Sequence, residues 1–579
     1  MSAASDPAQK KLEEDIKLLK NIRSRGLVPL ITAEESPDLP HLSDVQGDVI
    51  YGFPKSFERF LFFRIADPKG FKAGLSNPRF NPTSSEDVKK NLLKIAKARA
   101  DANLAGEDVK RVPLLQYQIA FSKTGLLVLG LQDDTGDERF DKYCMRDNRV
   151  FLGDQQNWDR LFDKPDYNET DGSAHDIKNP RALHGAFVIA GDTDKDCDEV
   201  TDLLKAIFGS SMEIPEQGAV DGHVRPDKHR HDEHFGYRDG ISQPAIRGLD
   251  HPLPGQIQVD PGVIIMGYKG DPVLSKRPEW TKGGAIMVFR KLQQYVVAWD
   301  SYMVTNGQNY QNVPGGKAGV NPDLPPGEAA ELLGARLVGR WKSGAPIALK
   351  ETSLKDDLVL GGDPKRNNNF DYSVRDVPGV SAQAPSDYYC PFTAHSRKTA
   401  PRNLDPYVAR QFLESGSIIR AGIAYGPEAR AERDKGEDSE IEKWRRGLLF
   451  NCYASHLNSG FIRQTTGYGN NDFFPITALT PNNHGQDPII GGPPPKGSSA
   501  EERGASLDQP TSSFIDGRQV DLNLRVPGET LRTYRVTGHV EVRPVTQAKV
   551  DFPFFVTSRG GEYFFVPSIP TLKSWGGPQ

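Results

Sequence analysis

The sequence is poor in cysteine, has no long apolar run and carries no excess of charge of either sign. Four cysteines occur in 579 residues, Cys144, Cys197, Cys390 and Cys452, and no two form a C-x-x-C pair. That spacing argues against a disulfide framework, a zinc ribbon and a C-x-x-C-H covalent cofactor attachment. Free, mostly buried thiols are the simpler reading. No run of 18 apolar residues is present, so no membrane-spanning helix is expected. The N-terminal stretch lacks the apolar core of a secretory signal. A soluble protein is expected, intracellular or exported by a non-standard route. Lysine plus arginine number 72 against 77 aspartate plus glutamate, a net charge of −5. A nucleic-acid binder would show a basic excess or stripe, so that class is disfavoured.

What is present is a rhythm of strands and helices. In residues 9–25, Leu12, Ile16, Leu19 and Ile22 share one helical face, which predicts an N-terminal helical extension over residues 1–40. FERFLFFRIAD (57–67) reads as a buried strand, and residues 84–102 as a helix with an acidic start. Residues 114–131 read as two strands around a Lys123-Thr124-Gly125 turn. A strand at 182–192 and a helix at 194–208 follow. This order predicts an α+β domain over 41–235, an antiparallel sheet with helices on one face. The pattern returns at 283–303, 445–457 and 562–568, predicting a second such domain over 236–579. Two stretches interrupt it, at about 312–330 and 484–545. The Gly-, Pro- and Ser-rich part, 484–516, reads as loop or disorder. The alternation at 531–545 reads as a hairpin.

Chemistry-bearing residues gather in three segments. HVRPDKHRHDEHFGYRDGISQPAIRG (223–248) holds His223, His229, His231 and His234 with Asp232, Glu233 and Asp239. Its spacing is not that of a zinc helix. A metal site serving a hydrolase and a polar loop of solvated histidines are both open readings. Within it, Asp239 lies between Gly236 and Gly240, which let a backbone approach a flat ligand closely. Asp239 is either an acid–base group or part of an Asp-Gly turn. In CPFTAHSRK (390–398), His395 is either a ligand or a packed core residue. In RAGIAYGPE (420–428), Arg420 leaves a short apolar run, toward a pocket or toward solvent.

These segments together resemble the dye-decolorizing peroxidase family, closest to its fungal branch. The G-x-x-D-G signature falls at Gly236 to Gly240, the proximal segment at 390–398 and the distal segment at 420–428. DVQGDVIYGFPK (44–55), GRWKSGAP (339–346), RGLLFNCY (446–453) and GGEYFFVPS (560–568) match in the family's order. The resemblance implies two ferredoxin-like α+β modules in a dimeric α+β barrel-like arrangement. Non-covalent haem b would sit between one module's sheet and its helices. His395 would be the axial iron ligand, with Asp239 and Arg420 on the peroxide side. Gly236, Gly240, Ile241, Leu448 and Phe450 would surround the cofactor. Arg397, with Lys398 and Arg402, would pair the propionates.

The implied activity is oxidation of dyes, phenolics and other small or bulky aromatic donors by hydrogen peroxide, in one-electron steps through an oxo-ferryl intermediate. A haem-handling protein with little turnover is the competing reading, though it has no need of a charged distal pair. A monomer or a homodimer is expected. Asn470 is expected to take the place of the acid that fungal relatives set near the proximal histidine. Tyr425 is expected to relay radicals to bulky donors, with Trp280, Trp299 and Trp341 as alternatives.

Overall fold

A computed structural model describes residues 28–29, 39–105, 112–154, 158–163, 175, 177, 179, 181–311, 324–373, 389–402, 404, 408–429, 445–471, 474–475, 487–491, 519–524, 532–537 and 555–577. The expected helix over 9–25 lies outside these residues.

The first half supplies β1 (Phe57–Ile65), α1 (Ser85–Ala105), β2 (Gln116–Phe121), β3 (Gly185–Gly191), α2 (Asp194–Phe208) and β4 (Ala219–His223). These strands lie antiparallel in the order β2-β3-β1-β4. That is the ferredoxin-like arrangement. The second half supplies β5 (Ala285–Gln294), α3 (Val296–Gln311), α4 (Pro326–Val338), α5 (His395–Thr399), β6 (Ile419–Arg420), β7 (Ile423–Tyr425), β8 (Gly447–Ala454) and β9 (Val556–Val566). Strands β6 and β7 both pair with β8, and the order continues β8-β5-β9. The same topology is thus built twice. The two sheets join where Phe565 of β9 pairs with Phe121 of β2. At the far edges, β4 lies against β7. A Cβ at Gly222 would come within 2.4 Å of Ile423 Cγ2 and 2.9 Å of the Ala424 carbonyl, so only glycine permits that approach.

The two-residue period of a strand explains the core. Phe60 and Phe62 of β1 point between the sheets, with ring centres 4.5 and 5.1 Å from Phe289 of β5. Phe63 points the other way, onto Phe71, which stacks on Phe208 of α2. Both faces of β3 are therefore buried along its whole length, and that strand is apolar throughout. Each fully buried ring contributes roughly 1.5–3 kcal/mol. The sheets are a stiff platform for whatever they present on their outer faces.

One local expectation is corrected. Residues 114–131 hold one strand, not two. After β2 the chain enters a helix, Lys123–Val128, capped by Ser122, whose side chain accepts from the Gly125 amide. A Cβ at Gly125 would lie 1.8 Å from the His184 carbonyl, so this glycine serves close packing and not a hairpin turn. Of the hairpin read over 531–545, Arg532–Thr537 pairs with Gln519–Leu524, and residues 538–545 lie outside the described residues. All four cysteines are buried and free, as expected.

Candidate active site

The outer face of the second sheet carries Arg290, Leu292, Leu448 and Phe450. They are in register across β5 and β8, with Leu292 opposite Leu448 and Arg290 opposite Phe450. A cavity separates this face from Val338 of α4 and His395, Ser396 and Thr399 of α5. It lies between sheet and helices, and apolar side chains such as Ile241, Ile418, Ile489 and Ile490 fill much of its wall.

His395 opens α5. Its Nδ1 lies 2.8 Å from Asp487 Oδ2. The other oxygen of Asp487 accepts from the amides of Ile489 and Ile490, at 2.7 and 3.0 Å. Asp487 is thereby fixed, and its side chain is wholly buried. With Nδ1 engaged, Nε2 is the nitrogen left for the cavity. Burial alone would lower the imidazole's pKa, but the charge and hydrogen bond of Asp487 raise it above the ordinary value.

Asp239 sits on the opposing loop. Gly236 turns the chain at φ 91°, and Gly240 follows Asp239 at φ 79°, both in the left-handed region that favours glycine. The Asp239 amide donates to the His231 carbonyl, which holds the loop in place. One carboxylate oxygen, Oδ1, accepts from both the Gly240 amide and Arg420 Nη1, each at 2.6 Å. Oδ2 is left toward the cavity. Burial pulls the Asp239 pKa up, but the charge and hydrogen bond of Arg420 outweigh it and hold it below the ordinary value. Arg420 is itself fixed by Gln243, whose Oε1 accepts from the Arg420 amide at 3.0 Å and whose Nε2 donates to the Arg420 carbonyl.

Of the expected residues, Asp239, Gly240, Ile241, His395, Arg420, Leu448 and Phe450 line this one cavity. Gly236 does not line it but sets the turn that brings Phe235 and Tyr237 to it. Arg397 is elsewhere. Its guanidinium is buried over Tyr372 and Phe392, at 4.6 and 4.2 Å from the ring centres, and donates to the Cys390 carbonyl. Lys398 Nζ donates to the carbonyls of Tyr468, Asn471 and Phe474. Asn470 donates to the Leu152 carbonyl, so the acid beside His395 is Asp487 and not position 470. Among the described residues, no three His, Cys, Asp or Glu side chains converge as a metal site.

Tyr425 also departs from expectation. Ala424 pairs with Leu448, and Tyr425 with Gly447. Since Leu448 faces the cavity, Tyr425 faces the other side of the sheet. It is buried there with Lys291 Nζ 5.5 Å from its ring. Trp299 stacks on Phe235 at 4.7 Å, and Trp341 donates to the Thr352 carbonyl. Trp280 packs edge-on against Phe565.

Arg340, which lines the cavity, was not expected from the sequence, while Arg402, expected beside the propionates, lies close to it in the wall of a small neighbouring pocket. Arg340 donates to four neutral acceptors, among them the Gly344 carbonyl and Asn368 Oδ1. Burial, with the nearby Arg402, lowers its pKa to about 9. Arg402 likewise donates only to neutral acceptors among the described residues, and its Nε is buried without a partner. Ser396 Oγ, in the cavity wall, is also buried without a partner among the described residues. Asp371 offsets the charge of Arg402 only in part, since burial still lowers the Arg402 pKa, and buried cations without a hydrogen-bonded carboxylate are costly. A flat apolar ligand with two carboxylates at one edge would match the slot and relieve that cost.

Residues 44–226 match the model of the DyP dimeric alpha+beta barrel domain. The chain is 34% identical to a dye-decolorizing peroxidase of Exidia glandulosa, over 99% of this chain and 94% of that one. It is 33% identical to one of Auricularia auricula-judae, over 98% and 93%. The solved structure of an ancestral D-type dye decolorizing peroxidase superposes with a TM-score of 0.71 at 34% identity, covering 93% of this chain and 100% of that one. A dye-decolorizing peroxidase in complex with 2,6-dimethoxyphenol gives 0.67 at 33% identity, covering 93% and 100%. Fold and relatives agree on an α+β barrel peroxidase. The chain belongs to the dye-decolorizing peroxidase family, and its full-length relatives place it with the fungal members. No helix among the described residues is long and apolar enough to cross a membrane.

Proposed function

We propose that this chain binds haem b without covalent links and uses hydrogen peroxide to oxidise aromatic donors. The observation that carries the reading is the shared cavity. His395, braced by Asp487, and the Asp239–Arg420 pair line the same apolar slot. His395 Nε2 would ligate the iron, and Arg340 and Arg402 would take the propionates. Bound haem would supply the redox chemistry that the side chains lack.

The residues then have separable tasks. Asp239, kept ionised by Arg420, accepts a proton at Oδ2 from one peroxide oxygen and returns it to the other as that oxygen leaves as water. This is general base and then general acid catalysis by one group. Arg420 offsets the negative charge that develops on the peroxide, in a site poor in water. Asp487 increases the electron donation of His395 by accepting its Nδ1 proton. Leu448, Phe450 and Ile241 exclude water from the slot.

The test is an absorption spectrum of the haem-reconstituted chain before and after one equivalent of hydrogen peroxide, for wild type and His395→Ala. A Soret band that shifts rapidly in wild type, with loss of the band or of its response in the variant, is expected. A wild-type Soret band that ignores peroxide would instead indicate a haem-handling protein.

A further inference from the structure

Reducing one hydrogen peroxide to two waters consumes two electrons and two protons. Asp239 supplies neither proton, because it returns the one it takes, and the first water leaves with both protons of the peroxide. The second oxygen becomes water only after two protons reach it from outside. A phenol releases a proton with each electron it gives. A donor that gives an electron alone, such as ferrocyanide, brings none, so the slot must then draw protons from solvent.

A second cavity, of about 580 Å3, lies on the far side of the Asp239–Arg420 pair. Its wall includes Arg99 and Arg230, both exposed, so solvent reaches it. Glu233, Asp239, Gly240, Arg420 and Leu448 line both this cavity and the slot. Two of them are carboxyl groups. Arg420 keeps Asp239 ionised, which makes it a poor source of protons. Glu233 is the other.

Glu233 Oε1 accepts from the Tyr237 amide at 2.8 Å, and Oε2 from the Phe235 amide at 2.8 Å and from Gln294 Nε2. These neutral donors occupy three of the roughly four lone-pair directions of a carboxylate and leave one for a proton. No cation pairs with it among the described residues. Arg225 Nη1 reaches only the Glu233 carbonyl, at 2.6 Å. Arg225 itself pairs with Glu428, Arg290 with Asp154, Lys55 with Glu58 and Asp232 with His229. Arg238 and Arg340, also in the slot wall, make no bond to it. His234 donates to the Tyr425 carbonyl, and burial lowers its pKa to about 4. Burial, followed by Arg238, Arg230 and Arg99, lowers that of His231. Both imidazoles are therefore neutral at pH 7. Burial, with the charge of Asp239, pushes the Glu233 carboxyl up to about 7 against its three hydrogen bonds. A group so poised holds a proton at neutral pH and can release it, as a general acid must.

We propose that Glu233 passes protons from the outer cavity to the haem slot during the two electron donations, a role that rests on the peroxidase reading. Each transfer leaves Glu233 as the carboxylate, and water in the outer cavity restores its proton.

The experiment compares wild type with Glu233→Gln, both haem-reconstituted and checked for equal melting temperature. Three rates are read: the stopped-flow reaction with peroxide, and turnover with ferrocyanide and with 2,6-dimethoxyphenol. Ferrocyanide turnover is expected to fall on the order of tenfold or more in the variant, and the other two rates much less. In wild type the ferrocyanide rate should fall as pH rises through about 7, where Glu233 loses its proton, and the variant should lack this limb. Infrared difference titration gives a readout without turnover. Wild type should show a protonated-carboxyl band that disappears over the same range and is absent from the variant. Equal slowing of all three rates would overturn the role, since Glu233 would then only shape the turn that carries Asp239. Unchanged ferrocyanide turnover, or a carboxyl band that survives the substitution, would overturn it too. Should the variant not fold, the wild-type ferrocyanide limb and its infrared band decide. A wild type that ignores peroxide would overturn the peroxidase reading and this role with it, and is recognised before any variant is compared.

Discussion

Asp487 Oδ2 lies 2.8 Å from His395 Nδ1, while Asp487 Oδ1 is held by two backbone amides. The carboxylate can therefore neither rotate away nor exchange its partner cheaply. It fixes the ring and makes it a stronger donor to a metal at Nε2. Asp487→Asn keeps the volume and removes the charge. The ferric/ferrous potential of the reconstituted variant is expected to rise, and its haem affinity to fall on the order of 10- to 100-fold. Spectroelectrochemical titration measures the first. An unchanged potential would mean that Asp487 only orients the ring.

The Asp239–Arg420 pair makes a signed prediction about pH. A general base works only when ionised, so peroxide consumption falls as pH drops through the Asp239 pKa. Arg420 holds that pKa below the ordinary carboxylate value. Arg420→Leu removes the opposing charge, so burial wins and the acid limb of kcat/KM for peroxide moves to higher pH. Asp239→Asn should cost on the order of 10²- to 10⁴-fold at neutral pH. Stopped-flow rates across the acid range check both.

Much of this site was legible because it is carried by short ordered motifs. Gly236 to Gly240, His395 and Arg420 stand in segments whose residue types announce close backbone approach and buried polarity. Asp487 was not legible. It lies in a stretch whose glycines, prolines and serines read as loop, and its partner is 92 residues away in the chain. The signal available was local: an acid followed by Pro488, Ile489 and Ile490, an apolar patch inside a polar tract. Arg397 misled for the opposite reason. Its neighbours in sequence are site residues, but two residues past His395 is roughly half a helical turn, which aims it at Tyr372 and Phe392. The repeated α+β order was visible in the strand and helix rhythm. The joining of the two sheets through β9 and β2 was not, because no local pattern encodes a pairing 444 residues apart (Phe121 with Phe565).

Asp250 predicts how stability depends on pH. It is 1% exposed, its Oδ1 has no partner among the described residues, and Oδ2 accepts from the Ile246 amide at 2.8 Å. Burial pushes its pKa up to about 7, opposed by that amide and by Lys89. The folded value is raised above the unfolded one, so the folded state binds the proton more tightly. The resulting stabilisation is complete below the unfolded pKa and is lost as pH rises toward 7. The loss is at most about 4 kcal/mol. Asp250→Asn keeps the acceptor and removes the titration. Its melting temperature relative to wild type should be highest at pH 7 to 8 and should approach wild type near pH 4.

Tyr425 separates chain proximity from spatial access. It is five positions from Arg420, which suggested a path for radicals from the site to bulky donors. The strand period turns it away from the cavity wall, and it is buried, so a dye at the surface cannot touch it. Its hydroxyl is buried without a hydrogen-bond partner among the described residues, which costs about 1–3 kcal/mol. Burial also raises its pKa above the ordinary value, which disfavours proton loss on oxidation. Tyr425→Phe removes the unpaired hydroxyl and little else. The variant is expected to decolorise an anthraquinone dye at the wild-type rate and to melt at the same temperature or slightly higher. A selective loss of dye turnover, with phenol turnover intact, would restore the relay and require electrons to cross the sheet from its cavity face to its buried one.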